Sequence, residues 1–310
     1  MIATVTLNLA LDVTYVVSEV TWHAANRVTA VHERAGGKGV NVSRVLDALG
    51  QETVVCGFAG GLTGEAIQAD LAAAGLGTML TPIARNSRRT VAVVDGSAGD
   101  ATGFWEPGPS IEEDEWSAFL RTYDAVLAGA RAVVLAGSLP PGMPAGAYAE
   151  LCRRARQAGV PAVLDADGEA LRQGLAGRPA LIKPNSDELA RAGGAGDPVR
   201  AAQALRAAGA DAVVVSRGAE GLLAVTGEGI WRAAPAERLT GNPTGAGDAA
   251  VAALTVGLVG GRSWPERLAD AVALSAAAVG ATLAGSFDED IHRRHRGRVE
   301  IEPVRPDTVS

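Results

Sequence analysis

Short runs of aliphatic and β-branched residues recur along the chain and alternate with longer stretches rich in Ala and Leu. The runs include Val54-Val55-Cys56, Val133-Val134-Leu135, Ala162-Val163-Leu164, Leu181-Ile182 and Val213-Val214-Val215. Helical periodicity follows or separates them, as in 148–158, 201–208 and 265–279. Strands without polar alternation are buried on both faces, and helices between them cover those faces. The pattern therefore predicts an α/β fold with a doubly wound parallel sheet.

Two stretches break the rhythm. Residues 11–34 mix polar and apolar positions with no helix attached, and 87–105 do the same around Thr90-Val91-Ala92-Val93-Val94. Half-buried antiparallel strands fit this alternation. They form either a small sheet standing off the main body as a lid, or edge strands of the main sheet. The basic stretch 292–298 reads as a solvated surface helix or loop. No internal repeat or low-complexity linker appears.

Composition narrows the picture. A length of 310 residues allows one large α/β domain or two small ones. Aromatic residues make up only 4% against 47% hydrophobic residues, which favours a tightly packed α/β protein over a β-sandwich. A net charge of −7 argues against nucleic-acid binding, yet a few arginines within one cleft can still hold an anion. Cys56 and Cys152 lack metal-ligand spacing and read as reduced thiols. The N-terminus shows no leader pattern and no run is long enough for a membrane span, so a cytoplasmic chain is expected.

The strongest local signal is Asn242-Pro243-Thr244-Gly245-Ala246-Gly247-Asp248, followed by an apolar helix over 249–259. Glycines at a helix start let backbone N–H groups converge where the helix dipole favours anions. Asp248 then has two possible jobs, capping the helix or acting as general base beside a bound phosphate. A second cluster, Gly36-Gly37-Lys38-Gly39-Val40-Asn41, leads towards a helix over 44–49. It fits neither a Walker A loop nor the dinucleotide fingerprint, but Lys38 and Asn41 suit a polyol or phosphate. Ser138 lies in a turn after Val133–Leu135. Lys183, Asn185 and Glu188 follow Leu181-Ile182, and Ser216, Gly218 and Gly221 follow Val213–Val215. Turns after core strands are where open α/β sheets bind ligands, and Asn185 and Glu188 offer oxygens suited to Mg²⁺. No Ser-His-Asp, Gly-x-Ser-x-Gly or His-Glu-x-x-His pattern competes.

Taken together, these motifs resemble the ribokinase superfamily, or PfkB carbohydrate kinases, over essentially the whole chain. The likeness is nearest to the branch that phosphorylates sugar phosphates, such as 1-phosphofructokinase, tagatose-6-phosphate kinase and the minor 6-phosphofructokinase. The branch cues are the segment Leu7 to Asp12, Asn26-Arg27-Val28, the segment Gly57 to Gly61, Arg89-Thr90 and Glu106-Pro107-Gly108-Pro109.

The resemblance implies a ribokinase-like three-layer α/β/α fold over 1–310, with lid strands inserted at about 11–34 and 87–105. It implies that Asp248 is the base and that Gly245, Ala246 and Gly247 form an anion hole. Asp12, Gly37, Lys38, Asn41 and Ser138 would hold the sugar, while Arg27, Lys38 and Arg89 would face its phosphate. Surface ion pairing is the alternative for both arginines. Lys183, Asn185, Ser216, Gly218 and Gly221 would border ATP, with Asn185 and Glu188 organising Mg²⁺ indirectly. A homodimer through paired lids, a sugar-phosphate substrate and no nucleic-acid or membrane partner complete the expectation. Gly103 and Trp105 stand where the branch carries polar residues, which leaves the acceptor open. Two other readings remain at this stage, a kinase of a free sugar or nucleoside and a catalytically silent sugar-phosphate sensor.

Overall fold

The computed structural model describes residues 1–237, 241, 243–281 and 283–304. Fourteen described strands make two sheets. The main sheet holds β1 (Ile2–Thr6), β4 (Thr53–Ala59), β5 (Gly77–Pro82), β8 (Ala132–Ala136), β9 (Ala162–Asp165), β10 (Leu181–Ile182), β11 (Val213–Ser216), β12 (Leu222–Val225), β13 (Ile230–Ala234) and β14 (Glu300–Pro303). Its order is β14-β13-β12-β11-β10-β9-β8-β1-β4-β5. The seven strands from β11 to β5 are parallel, as the continuous apolar runs required, and β12 to β14 continue the sheet antiparallel. Those three edge strands were not anticipated, although Thr226-Gly227-Glu228-Gly229 marks a hairpin turn between two of them.

The second sheet, β3-β2-β6-β7, contains β2 (Ala10–Val17), β3 (Val28–Gly36), β6 (Arg88–Asp95) and β7 (Asp100–Trp105). The two irregular stretches of the sequence thus pair with each other in a separate four-stranded sheet, called the lid below, and not with the main sheet. One lid face, carrying Leu11, Val13 and Val91, packs on Ile67 and Leu71. The other presents Asp12 and Thr90, which are register partners on adjacent strands.

Ten described helices complete the layers. On one side of the main sheet lie α3 (Glu113–Leu127), α4 (Ala147–Gln157), α5 (Gly168–Gly174), α6 (Ser186–Gly193) and α7 (Pro198–Ala207), burying Phe119, Tyr123, Leu151 and Val199. On the other lie α1 (Lys38–Ala48), α8 (Ala246–Val259) and α9 (Trp264–Val279), burying Val42, Leu46, Leu254 and Leu274. Helix α2 (Gly61–Ala73) supports the lid, and α10 (Glu289–Arg296) packs on α9. No described helix is long and apolar enough to cross a membrane.

Two helices begin earlier than their apolar patterns suggest. Helix α1 starts at Lys38 instead of 44, because Gly37 adopts φ 109° and turns the chain directly from β3 into the helix. Helix α8 starts at Ala246 instead of 249. Both shifts move a polar residue from a loop into a first helical turn.

Sheet topology reverses at β1, whose neighbours β4 and β8 lead outwards in opposite directions. That switch opens a crevice at the strands' C-terminal ends. Tyr148 of α4 braces it from the buried side, donating its hydroxyl to the Gly137 carbonyl at 2.9 Å, one residue before Ser138. Tyr148→Phe leaves that carbonyl without its donor. It is expected to lower unfolding free energy by about 1–2 kcal/mol, measurable by urea denaturation.

Candidate active site

The crevice is tied across the switch point by Asn8, which follows β1. Its side-chain amide donates to Ser138 Oγ and to the Pro107 carbonyl, both at 3.1 Å. Ser138 is thereby linked to the Pro107-Gly108-Pro109 turn that follows the lid strand β7.

Behind Ser138, at the same end of the sheet, the first turn of α8 points its N–H groups into the crevice. Gly245 caps this helix with φ 88°, a conformation that side chains other than glycine disfavour. The Ala246 N–H is used within the turn, donating to the Pro243 carbonyl at 3.2 Å. The N–H groups of Gly247 and Asp248 have no partner among the described residues, so these two are left open as a candidate anion seat. A methyl group on Gly247 would lie 3.4 Å from Lys183 Nζ, which places that ammonium beside the seat. Of the expected trio Gly245, Ala246 and Gly247, the first shapes the turn and only the last offers a free donor. Asn242, the first residue of the motif, lies outside the described residues.

Asp248 is buried, and Asn41 Nδ2 donates to its Oδ2 at 2.8 Å. Among the described residues the Asp248 carboxylate hydrogen-bonds Asn41 and no backbone N–H of its own helix. Burial, and then the nearby Asp165 carboxylate, push its pKa up to about 6, against the opposing pull of Asn41, Lys38 and Lys183.

Asp165, at the end of β9, was not singled out by sequence reasoning. It is almost completely buried between two lysines, 3.6 Å from Lys38 Nζ and 3.4 Å from Lys183 Nζ. Its Oδ1 makes no hydrogen bond among the described residues, so charge alone holds that oxygen. Burial works against the Lys38 ammonium, but Asp165, Glu188, Asp248 and Asp167 together raise its pKa. Lys38, Asn41, Lys183 and Asp248 therefore meet around one buried carboxylate. Asp12 lies across from them at the root of the lid. Burial lifts its pKa, while a hydrogen bond from Thr90 and the charges of Arg88, Arg34 and Arg44 restrain it.

On the nucleotide side Asn185 and Ser216 form an isolated bridge between adjacent strand ends. Gly218 and Gly221 follow in the short turn that leads to β12. Asn185 and Glu188 form a reciprocal capping box at the start of α6. Asn185 Oδ1 accepts from the Glu188 N–H, and Glu188 Oε2 accepts from the Asn185 N–H, each at 2.8 Å. Direct ligation through those oxygens would break the cap. No group of three acidic, His or Cys side chains able to hold a metal occurs among the described residues. The pair suits Mg²⁺ that arrives with phosphates and keeps its own waters.

The lid arginines divide differently from expectation. Arg89 stands on the Leu11 face of β6, is more than half exposed, and pairs with Glu106 at 3.1 Å. Arg88 stands on the Asp12 face and donates from Nε to the Asn8 carbonyl (3.1 Å) and from Nη1 to the Glu106 carbonyl (3.2 Å). No carboxylate ion-pairs with it among the described residues. Both arginines, with Ser87, Glu106, Pro107 and Gly108, line a cleft of about 630 Å³. Arg27 precedes β3 at the far end of the lid, roughly 30 Å of extended chain from Gly37 at about 3.3 Å per residue. The fold of one chain does not bring it to the crevice. A larger hollow of about 840 Å³ lies around Arg178, Arg206 and Trp264, away from all these groups.

The burial of Asp248 has a consequence for stability. A carboxyl whose folded pKa is raised favours the fold while protonated, below about 4, and loses that advantage as pH rises towards about 6. Above that range the charged side chain opposes folding. Asp248→Asn is therefore expected to be more stable than the wild type at pH 8, by about 1–3 kcal/mol, with the gain shrinking below pH 5. Denaturant titrations at the two pH values measure the difference.

Comparison with known proteins agrees with this geometry. The profile of the pfkB family carbohydrate kinases matches residues 6–291. Phosphofructokinase-2 from Escherichia coli, solved with potassium, is 30% identical. It superposes with a TM-score of 0.90 over 96% of this chain and 98% of that one. A possible 1-phosphofructokinase from Thermotoga maritima is 26% identical, with a TM-score of 0.87 over 98% and 99% of the two chains. A putative phosphofructokinase from Staphylococcus aureus, 30% identical, gives 0.84 over 98% and 99%. With the family profile matched over residues 6–291, the chain belongs to the pfkB family of carbohydrate kinases.

Proposed function

We propose that this kinase transfers a phosphoryl group from ATP to a hydroxyl of a sugar that already carries a phosphate, in the manner of a 1-phosphofructokinase or tagatose-6-phosphate kinase. The observation that carries the reading is Arg88. A half-buried guanidinium on the Asp12 face, fixed by two backbone carbonyls and without a carboxylate ion-pair partner among the described residues, suits a phosphate on the acceptor. Relatives named as phosphofructokinases support the same class. One structure of the Escherichia coli enzyme is described as its complex with fructose 6-phosphate.

In this reading Asp12, Asn41 and Ser138 orient the sugar, and Asp248 accepts the proton of the attacking hydroxyl. The Gly247 and Asp248 N–H groups, with Lys38 and Lys183, stabilise negative charge on the transferred group. Lys183, Asn185, Ser216, Gly218 and Gly221 border the nucleotide. Asn185 and Glu188 would hold Mg²⁺ through its waters, and the ion would supply positive charge to the nucleotide phosphates. The lid excludes water that would compete for the phosphoryl group. A kinase of this kind works where ATP is supplied, in the cytoplasm.

A second copy of the chain completes the proposal. The lid exposes Val28, Val31, Phe104 and Trp105, an unusual amount of apolar surface for strands with a solvent face. A homodimer through the lids covers it and offers Arg27 a route to the phosphate of a neighbouring site.

The test is an ADP-release assay over fructose 1-phosphate, fructose 6-phosphate, tagatose 6-phosphate, free fructose and adenosine. Wild-type turnover is expected with at least one phosphosugar and not with the free compounds. Arg88→Ala should raise KM for the phosphosugar by ~10-fold or more, the scale of one lost charge-assisted contact. Arg89→Ala should change it far less. Preferential turnover of a free sugar or nucleoside would overturn the reading. No turnover of any kind would favour the sensor.

A further inference from the structure

We propose that Arg34 is a positioning residue that couples the acceptor seat on the lid to the anion seat of α8. The inference rests on the acceptor reading above and adds a physical link between the kinase's two half-sites.

Arg34 lies on β3, directly opposite Asp12 in the β2–β3 ladder, so the two side chains share the crevice face of the lid. The guanidinium does not end in solvent. Arg34 Nη1 donates to the carbonyl oxygen of Ala284 at 3.0 Å, across 250 residues of sequence. Ala284 in turn packs closely against the α8 cap. A methyl group on Gly245 would sit 2.9 Å from Ala284 Cα and 3.2 Å from the Gly285 nitrogen. Gly285 packs against α1 as closely, since a methyl there would lie 3.1 Å from Asn41 Cα. Asn41 is the residue that donates to Asp248. One short segment, 283–285, is thus wedged between the lid strand, the turn that offers the phosphoryl-binding N–H groups, and the residue that orients the base.

The root of β3 is anchored on its other side. Arg44 of α1 pairs with Asp70 of α2 at 2.6 Å, and Asp70 accepts the Ala35 N–H at 3.0 Å. That clamp fixes where β3 leaves the body, so a tilt of the lid about this root is carried by Arg34 to Ala284. Partial burial, and then Arg44, weigh against the Arg34 charge, while Asp70 and Asp12 counter them. Keeping a charged side chain in such surroundings is costly, and a surface ion pair needs no such placement. A sugar that settles on Asp12 changes the surroundings of Arg34 directly. The same guanidinium bears on the carbonyl behind Gly245. Filling the acceptor seat should therefore order the anion seat, and the nucleotide should bind more tightly when the acceptor is present. By linkage the effect is reciprocal.

Arg34→Ala and Arg34→Lys separate this role from a merely structural one. The readout is the Kd of a non-hydrolysable ATP analogue, measured by calorimetry with and without saturating fructose 6-phosphate or fructose 1-phosphate, whichever the wild type turns over. Wild type is expected to show a ~5- to 50-fold tightening, within the usual span of such couplings. Arg34→Ala should reduce the ratio to about 2 or less and lower kcat more than it raises the acceptor KM. Arg34→Lys, which keeps a donor, should recover part of the ratio. Hydrogen–deuterium exchange on the unliganded proteins provides a second arm that needs no substrate. Faster exchange confined to 283–286 and 245–249 in Arg34→Ala supports the link, and unchanged exchange overturns it. An unaltered coupling ratio in Arg34→Ala, or no coupling in the wild type, also overturns it. If neither sugar phosphate is turned over, the acceptor reading fails, and the exchange arm still decides whether Arg34 holds the segment.

Discussion

The site depends on one buried charge. Asp165 stands at the end of β9 with its carboxylate within 3.6 Å of both Lys38 and Lys183. Neither lysine would rest easily there otherwise, since each is drawn towards a helix N-terminus that already favours anions. With Asp165 between them, two cations are held near the first turn of α8, where Lys183 lies beside Gly247. The same carboxylate, after burial itself, lifts the pKa of Asp248. A single side chain therefore both gathers the two lysines and raises the pKa of the buried Asp248 beside them. Such an arrangement opposes folding at neutral pH, and the large alanine- and valine-rich core on both faces of the sheet offsets that cost.

Much of this architecture was legible in the sequence. Runs such as Val133–Leu135 and Val213–Val215 carry no polar alternation, and only a sheet covered on both faces tolerates that. The lid stretches alternate, and they pair with each other. The turn before α8 was legible because glycine, proline and aspartate each have a steric or electrostatic reason to stand at a helix start. Asn185 and Glu188 were read only as oxygens suited to Mg²⁺, although their three-residue spacing is also that of the capping box they form.

What was not legible depends on register and on distance. Arg88 and Arg89 are neighbours in sequence but lie on opposite faces of β6, and a one-residue shift in pairing exchanges them. Nothing local fixes that choice; the alignment of β6 with Ala10, Leu11 and Asp12 of β2 does. Asp165 sits in Asp165-Ala166-Asp167-Gly168, which reads as an ordinary polar turn. Its importance arises from two lysines 127 residues before it and 18 after it, brought together only by the strand order. Arg34 contacts Ala284 through the same kind of non-local closure.

The central claim is that this charge cluster serves Asp248 as the base of phosphoryl transfer. It is tested most directly by the kcat of Asp248→Asn with the best phosphosugar acceptor, alongside that acceptor's Kd. The substitution keeps the size of the side chain and the oxygen that receives the Asn41 hydrogen bond. The account predicts a fall in kcat of about 10²–10⁴-fold, the span typical of a lost general base, with the acceptor's Kd little changed. Retention of more than a tenth of wild-type kcat would contradict it.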